Sequence, residues 1–504
     1  MYLTQGLHRA LQRHPGKMAL RHLGGEAQRT WSFAQTVDEV ARQAAALHAR
    51  GVRPGDRVAM LSPNSDALIV QLFACWWLGA VACPLNLRWS VAELRHALGD
   101  CGARLLLVDP TQGRAASELQ DLAAVLPTPA LEAQAHGLAP CDDLRGGGDT
   151  LAVILYTGGT TGRAKGVMLS HANLWSASMT RGAELNNSPD SITLLVAPLF
   201  HVAGLGRLVG QTIVGGACIT MPQFRPDAAI AAIEQFGISD IMVVPSMLQS
   251  LLDAPGFDAA RVRSLNRIAF GAAPMPPDLL ERALAAWPHA EFFQAYGMTE
   301  TAGAVCINLP ANHSLQARAS GRLASVGRAG LGAEIRVVDE RGVDVQRGTV
   351  GEIIVRGPMV TRGYWGQPET TAQALRDGWL HTGDGGRMDD EGYLFIADRL
   401  KDMIISGGEN VYPAEVEAAL RSHPAVADAA VIGVPDRRWG EAVHAVVVAR
   451  APAAGDALRD DLLDWCRGRL AGYKCPRSMA FVEALPLSAA GKVLKTQLRA
   501  QYRP

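Results

Sequence analysis

Three things are scarce in this sequence, and each scarcity removes a class of function. Net charge is almost absent, with 48 Lys and Arg against 49 Asp and Glu. No bulk field of one sign therefore draws the chain to nucleic acid, and any basic site for a phosphorylated ligand must be local. Cysteines in metal-binding arrangement are lacking. Cys75, Cys83, Cys101, Cys141, Cys218, Cys306, Cys466 and Cys475 form no C-x-x-C pair and no His/Cys cluster of zinc spacing, so they read as scattered thiols of a reducing compartment. Long apolar runs are missing too. The longest, residues 67–87, is broken by Gln71, Gly79, Pro84 and Asn86, too short a run for a clean membrane span, and it reads as a buried helix over 67–78 followed by a strand over 81–84. In residues 1–17 (MYLTQGLHRALQRHPGK), His, Arg and Gln interrupt every apolar stretch, so a signal-peptide core is not expected and a cytoplasmic protein without a transmembrane segment is. Contact with a membrane surface and oligomeric state are left open.

What is present points to an α/β protein of more than one domain. A chain of 504 residues exceeds what one hydrophobic core usually supports. Helical and strand patterns alternate through the first four hundred residues: an amphipathic helix at 37–49 and strands at 57–61, 105–108 and 241–244, which argues for layers built on largely parallel sheets. The Ala/Gly/Pro-rich stretch 127–150 reads as a surface connection. From Glu334 short alternating strands (334–338, 351–356) separated by polar turns predict a small β-rich unit. After Asp398 the pattern is strand (403–405), Gly-rich turn, helix (414–422), strands (426–434, 442–448) and helix (458–470). The expected division is a large N-terminal domain over 1–399 and a compact α+β C-terminal domain over 400–504.

The most telling stretch is residues 155–171, LYTGGTTGRAKGVMLSH, an apolar strand running into a Gly/Thr-rich loop that ends at Lys165. Gly158, Gly159 and Gly162 can bring backbone N–H groups close to an anion, Thr157, Thr160 and Thr161 add hydroxyls, and Lys165 adds positive charge. It is not a nucleoside-triphosphatase P-loop, because Ala164 precedes the lysine and Gly166 follows it. Nor is it a dinucleotide fingerprint, since G-x-G-x-x-G is absent.

This loop resembles the phosphate loop of the adenylate-forming superfamily, which contains acyl-CoA synthetases, adenylation domains of peptide synthetases and beetle luciferases. Three further segments match in order: 294–301 (QAYGMTET), 380–384 (LHTGD) with 398–413 (DRLKDMIISGGENVYP), and 486–499 (PLSAAGKVLKTQLR). The resemblance spans essentially the whole chain and is nearest to bacterial fatty acyl-CoA synthetases, including the mycobacterial very-long-chain type. It implies a C-terminal domain that is mobile, and ATP, Mg²⁺ and CoA as reactants or cofactors. Activating a carboxylic acid with ATP brings a carboxylate to an anionic α-phosphate and expels pyrophosphate, and cations and N–H donors ease both.

By resemblance, Mg²⁺ is held by Glu300 and Thr157, a carboxylate-plus-hydroxyl set that suits magnesium, and Thr299 reaches the α-phosphate. Gly271, Ala272, Ala273 and Pro274, with Ala295, Tyr296, Gly297 and Met298, flank adenine. Asp384 takes the ribose hydroxyls with Arg399 in support. Lys492 is the adenylation lysine, and Lys495 reads as its solvated neighbour. Lys401 matches the hinge. Ser406, Gly407 and Gly408 would border the pantetheine arm, with Lys474 and, on weaker grounds, Arg225 near CoA phosphates.

The acyl pocket by the same resemblance is bordered by His201, Val202, Ala203 and Ala302. His201 stands where amino-acid-activating relatives tend to carry Asp, which speaks against an amino-acid substrate. Small residues, Ala203, Gly204, Gly206, Ala302, Gly303 and Ala304, predict an open apolar pocket, and Arg207 either points to solvent or marks a polar group at the far end of the substrate. Gly158 and Ala164 replace the loop Ser and Pro common in the family. The expected enzyme is an AMP-forming acyl-CoA synthetase of a medium- to long-chain fatty acid. The alternatives are an aryl or dicarboxylic acid CoA ligase, or an acyl-AMP ligase that loads a carrier protein.

Overall fold

The computed structural model describes residues 1–24, 28–157, 164–273, 275–314, 317, 319–399, 402–406, 409–436, 438–450, 456–488 and 492–502, with Arg399 and Asn410 described in backbone only. The chain divides into two compact units. The larger comprises Met1–Ile335 and Val355–Leu380, the smaller Arg336–Ile354 and His381–Pro504.

The larger unit is built on two sheets. A nine-stranded sheet runs, edge to edge, Arg328–Ala329, Gly303–Asn308, Glu291–Met298, Arg267–Gly271, Asp240–Val243, Ile192–Leu195, Ala217–Thr220, Met18–His22 and Arg29–Ser32. Its five central strands, from Glu291–Met298 to Ala217–Thr220, are parallel, as βα alternation requires. A six-stranded sheet follows the order Ala124–Pro127, Leu105–Val108, Arg57–Leu61, Val81–Pro84, Leu151–Thr157, Lys165–Ser170. Strands such as Leu105–Val108 are buried along their whole length, so their sequence is a continuous apolar run rather than an alternation. Large aromatic side chains, Phe270, Trp287 and Phe292, centre one core cluster.

Local chemistry explains the helices that cover these sheets. The helices Phe33–Ala49, Val91–Cys101 and His171–Glu184 each begin at a serine in a reciprocal capping box, Ser32 with Gln35, Ser90 with Glu93 and Ser170 with Asn173, which satisfies N–H groups otherwise left without partners. The apolar run at 67–78 is the buried helix Asp66–Trp77. The stretch expected as a surface connection instead carries a helix, Thr128–His136, with Leu131 and Ala135 buried. Pro129 sits in its first turn, where proline is tolerated, and the alanines read as loop composition are good helix formers. Among the described residues, no helix is long and apolar enough to cross a membrane.

In the smaller unit, Val426–Asp436 and Gly440–Ala449 form a long antiparallel pair, and strand Gly440–Ala449 also pairs at its start with Ile404–Ser406, which carries Glu409–Val411, and further along with Ser478–Phe481. Helices Pro413–Arg421 and Asp456–Arg467 contribute Val416, Leu420, Leu462 and Cys466 to a core with Val431, Val443 and Val447. The protein is thus a mixed α/β fold with a large N-terminal part and a smaller C-terminal one.

Candidate active site

In the larger unit, the phosphate-loop candidates fall between two antiparallel strands, with Thr157 directly opposite Lys165 in the pairing. Gly158, Gly159, Thr160, Thr161 and Gly162 lie outside the described residues, as do Pro274, Lys401, Gly407, Gly408 and the side chain of Arg399. The strand that leaves the loop leads to Glu300. Lys165 Nζ stands 5.4 Å over the Tyr364 ring, and the Tyr364 hydroxyl donates to Glu300 Oε1 at 2.9 Å. The Glu300 carbonyl accepts from Thr361 N–H at 2.7 Å, and the Thr361 hydroxyl donates to Met168 O at 2.6 Å. Glu300 is therefore tied through segment 361–364 to the strand that leaves the phosphate loop.

Glu300 is 7% exposed and has no ion pair among the described residues. A buried carboxylate that accepts one neutral hydrogen bond keeps lone pairs for a cation, so the residues present fit a magnesium ion. Tyr364 and Thr361 escaped sequence reasoning, because nothing local in GYW or VTRG announces a partner some sixty residues earlier. Thr299, beside Glu300, is buried in the short turn Thr299–Thr301.

The adenine-flanking candidates meet through sheet register. Gly271 pairs with Ala295 across adjacent parallel strands, and a Cβ on Gly271 would stand 2.5 Å from Ala295 O. Strand Glu291–Met298 buries Phe292 and Phe293 and then opens, with Tyr296 and Met298 half-buried and Gly297 exposed. A Cβ on Gly297 would collide with Gly303 O. Ala272 and Ala302 have φ of 64° and 51°, left-handed values that cost a non-glycine residue energy and cluster at functional sites. Ala272 lies within one of the segments expected to hold nucleotide, and Ala302 follows directly on the other. These ends are the carboxyl ends of parallel strands, where α/β sheets place ligands.

His201 is the N-cap of helix Val202–Val214, its Nδ1 accepting from Ala203 N–H at 3.2 Å. Asn64, also missed from sequence, holds the preceding loop: its Nδ2 donates to Leu195 O and Ala197 O at 3.1 and 2.9 Å, and its Oδ1 accepts from Leu199 N–H at 2.9 Å. Val202 and Ala302 are buried. Two expectations here are corrected. Gly204 does not open the pocket, since a Cβ there would collide with the carbonyls of Ala197 and Pro198. Arg207 neither points to solvent nor offers itself to a substrate: it is 4% exposed and paired with Asp240, because a buried guanidinium demands a counter-charge.

In the smaller unit, Asp384 is 6% exposed on strand Trp379–Met388, opposite Arg399 in the pairing. Its N–H donates to Thr382 Oγ1 at 3.1 Å, and that hydroxyl donates to Ile353 O at 2.6 Å. Glu352, not singled out from sequence, fastens the same turn by accepting from Gly383 N–H at 3.1 Å and bonding His381 Nδ1 at 2.7 Å. Asp384 is thus a rigidly placed side chain and not a plain turn residue.

Lys492 is exposed at the neck of a loop. Ser488 N–H donates to Lys492 O at 2.7 Å, and Lys492 N–H donates to Ser488 Oγ at 3.1 Å. Lys495, expected to be solvated, instead pairs with Glu417 at 2.8 Å with 15% of its side chain exposed. Lys474 lies 2.8 Å from both Glu415 oxygens, a bond that raises its pKa, and Arg225 pairs with Asp227 at 2.7 Å. Ser406 is buried, its hydroxyl without a hydrogen-bond partner among the described residues, and Glu441 accepts from the neighbouring Ile405 N–H at 2.9 Å.

The chain matches known proteins along nearly its full length. It is 44% identical over 494 residues to a feruloyl-CoA synthase of Amycolatopsis sp, covering 97% of this chain and 96% of the relative. It is 35% identical to the long-chain-fatty-acid–CoA ligase FadD13 of Mycobacterium tuberculosis, covering 94% and 93%. Its structure is similar to that of O-succinylbenzoate coenzyme A synthetase from Bacillus subtilis in complex with ATP and magnesium ion, with a TM-score of 0.87, 32% identity and 98% of each chain covered. The AMP-binding enzyme family matches residues 7–365, over the phosphate loop and the Glu300 turn, and its C-terminal domain family matches residues 415–492, up to Lys492. On sequence and fold, this chain belongs to the AMP-binding enzyme family.

Proposed function

We propose that this protein is an ATP-dependent acid–thiol ligase, converting a carboxylic acid and ATP to acyl-AMP and pyrophosphate, and then acyl-AMP and CoA to acyl-CoA and AMP. The full-length match to CoA ligases of the AMP-binding family carries the reading. Glu300 and Thr157 would hold Mg²⁺, which when bound offsets phosphate charge and orients the leaving pyrophosphate. Tyr364 keeps Glu300 aimed, Thr299 donates toward the α-phosphate, and the loop Thr157–Lys165 supplies N–H groups, hydroxyls and a cation to the outer phosphates. Tyr296 offers an aromatic face to adenine, and Asp384 accepts from ribose.

Lys492 is proposed to stabilise charge as the acyl carboxylate attacks. Residues 400–504 are proposed to turn about Lys401 between the half-reactions, so that the 406–408 segment replaces Lys492 when CoA attacks the acyl-AMP carbonyl and AMP leaves. Its unpaired thiols fit a cytoplasmic location.

For the acid, the identity to feruloyl-CoA synthase favours an aryl acid carrying oxygen substituents. A medium- to long-chain fatty acid is the second reading, favoured by the small residues at 203, 206 and 302 and by the mycobacterial relative. The deciding experiment measures acid-dependent AMP release, with and without CoA, over benzoates, hydroxycinnamates, straight-chain acids and dicarboxylates. Release with no acid above background refutes the ligase reading. Release independent of CoA, with acyl transfer only to a carrier protein, replaces CoA by that acceptor. A Glu300→Gln variant should need more Mg²⁺ for half-maximal adenylation, and an unchanged titration removes Glu300 from the metal site.

A further inference from the structure

Two arginines sit in the interior of the larger unit on packed helices, and only one has a carboxylate. Arg207 is neutralised by Asp240. Arg181, on helix His171–Glu184, forms no ion pair among the described residues. It lies so deep among protein atoms that burial alone lowers its pKa to about 10, yet the residue is not sealed off and keeps solvent-reachable surface, as a group lining an internal space does. Of its five N–H donors, Nη2 donates to Gly206 O at 2.5 Å, while Nε is buried without an acceptor among the described residues. Two carboxylates of neighbouring elements are engaged elsewhere. Glu184, one turn along the same helix, accepts from Leu331 N–H at 3.2 Å, and Asp240 serves Arg207 and the Thr193 hydroxyl. Arg207 adds a second positive charge near enough to be felt.

The place of this cation relates it to the acyl segment. Gly206 and Gly210 lie about one and two turns into the helix that His201 caps, roughly 6 and 12 Å along its axis at 1.5 Å per residue. A Cβ on Gly206 would stand 3.7 Å from Ala302 O and 3.8 Å from Arg181 Nη1, so the pocket residue Ala302 and the guanidinium face one point. A Cβ on Gly210 would collide with Arg181 Nη2. Gly210 thus makes room for a cation that has no carboxylate partner among the described residues. An uncompensated buried charge is costly enough that proteins keep it for a reason.

We propose that Arg181 reads the distal end of the acid substrate, donating hydrogen bonds to an oxygen acceptor there, so that the substrate class is a carboxylic acid whose apolar body ends in an oxygen function. A ring phenol or ether and a terminal oxygen on a chain present the same acceptor. This assignment rests on the ligase reading above.

The test uses pairs of acids that differ only in the distal oxygen: cinnamate with 4-hydroxycinnamate, and decanoate with 10-hydroxydecanoate. For the wild-type protein, Arg181→Gln and Arg181→Lys, kcat/KM of AMP release with CoA is measured and the oxygenated-to-plain ratio is taken within each enzyme. In the wild type at least one pair should show a ratio of about 10 to 100, the worth of one hydrogen bond to a charged group. The pair that shows it tells ring from chain. Arg181→Gln should bring that ratio to near one, with Arg181→Lys in between. A wild-type ratio near one for both pairs, or a ratio that survives in Arg181→Gln, overturns the proposal, and equal loss on both members of a pair marks Arg181 as structural. Should Arg181→Gln fail to fold, Gly210→Ala displaces the guanidinium without removing it and should lower the same ratio. If no acid supports AMP release the ligase reading fails on its own, and the ratio of calorimetric Kd values for the same pairs then decides Arg181.

Discussion

The two units handle charge in opposite ways. The larger one takes several charged and polar groups indoors: Glu300, Thr299, Arg207 and Asp240 are all under a tenth exposed. The smaller one keeps most of its charge outdoors or paired. Lys474, Lys495 and Arg499 each meet a carboxylate, and Lys492 is held by its backbone while its side chain is exposed. Asp384, on a strand, and Glu417, on a helix, are buried. A group that must stand still against a nucleotide is worth burying, because burial excludes water and strengthens every interaction it makes. A group that acts in only one half-reaction is better placed where it can leave.

The sharpest test of this contrast is an ion pair from each unit. Arg207→Ala should destabilise the larger unit by about 3–5 kcal/mol, because Asp240 would remain buried and unpaired. A lowered melting transition would show it, without selective loss of dicarboxylate turnover. Lys474→Ala, which removes a partly exposed pair with Glu415, should cost at most about 1 kcal/mol. Comparable losses would erase the distinction.

Next in size is Lys492→Ala. If its ammonium stabilises transition-state charge, acyl-AMP formation should fall about a hundredfold or more, while transfer from supplied acyl-AMP to CoA survives. Equal loss of both half-reactions, read by single-turnover assay, would end the idea that this residue serves one step.

Buried neutral histidines in the larger unit predict acid sensitivity. Burial pushes both His171 and His313 down to about 4, and His171 Nδ1 must be unprotonated to accept from Leu3 N–H. Between pH 6.5 and about 4 the unfolded chain binds protons that the folded one refuses. Stability is therefore fully present above pH 6.5 and is lost as pH falls toward 4, by on the order of 3 kcal/mol per histidine. In the smaller unit His444 is shifted the same way by burial. Calorimetry from pH 7 to 4.5 on the wild type and His171→Gln should show a shallower slope in the variant, and an identical slope would clear His171.

The smallest expected effect is that of Tyr364→Phe, which removes one neutral hydrogen bond to Glu300 worth about 1 kcal/mol. It should raise the magnesium requirement of adenylation several-fold at nearly unchanged melting temperature. An unaltered magnesium titration would show that the turn Thr299–Thr301 aims Glu300 unaided.

Much of this protein is legible along the chain. Buried parallel strands announce themselves as apolar runs, so Leu105–Val108 and Val81–Pro84 could be read residue for residue. The helices expected over 37–49 and 67–78 from periodicity and length are there as Phe33–Ala49 and Asp66–Trp77. The segments around Thr157, Glu300, Asp384 and Lys492 carry local motifs, because a phosphate loop or a strand-end turn is made by consecutive residues. Helix Thr128–His136 was misread because its alanines and prolines have the same composition in a loop. The partners were illegible for a different reason. Tyr364 on Glu300, Glu352 on the Asp384 turn, Asp240 on Arg207 and Glu417 on Lys495 are contacts between residues distant in sequence, and charge and size at one position do not say which distant group will neutralise it. Local order, capping and motif chemistry were thus determined by the sequence alone. Which charges are satisfied, and that Arg181 has no carboxylate of its own among the described residues, was decided only when the tertiary structure brought remote segments together, since the energy of a buried charge depends on everything that surrounds it.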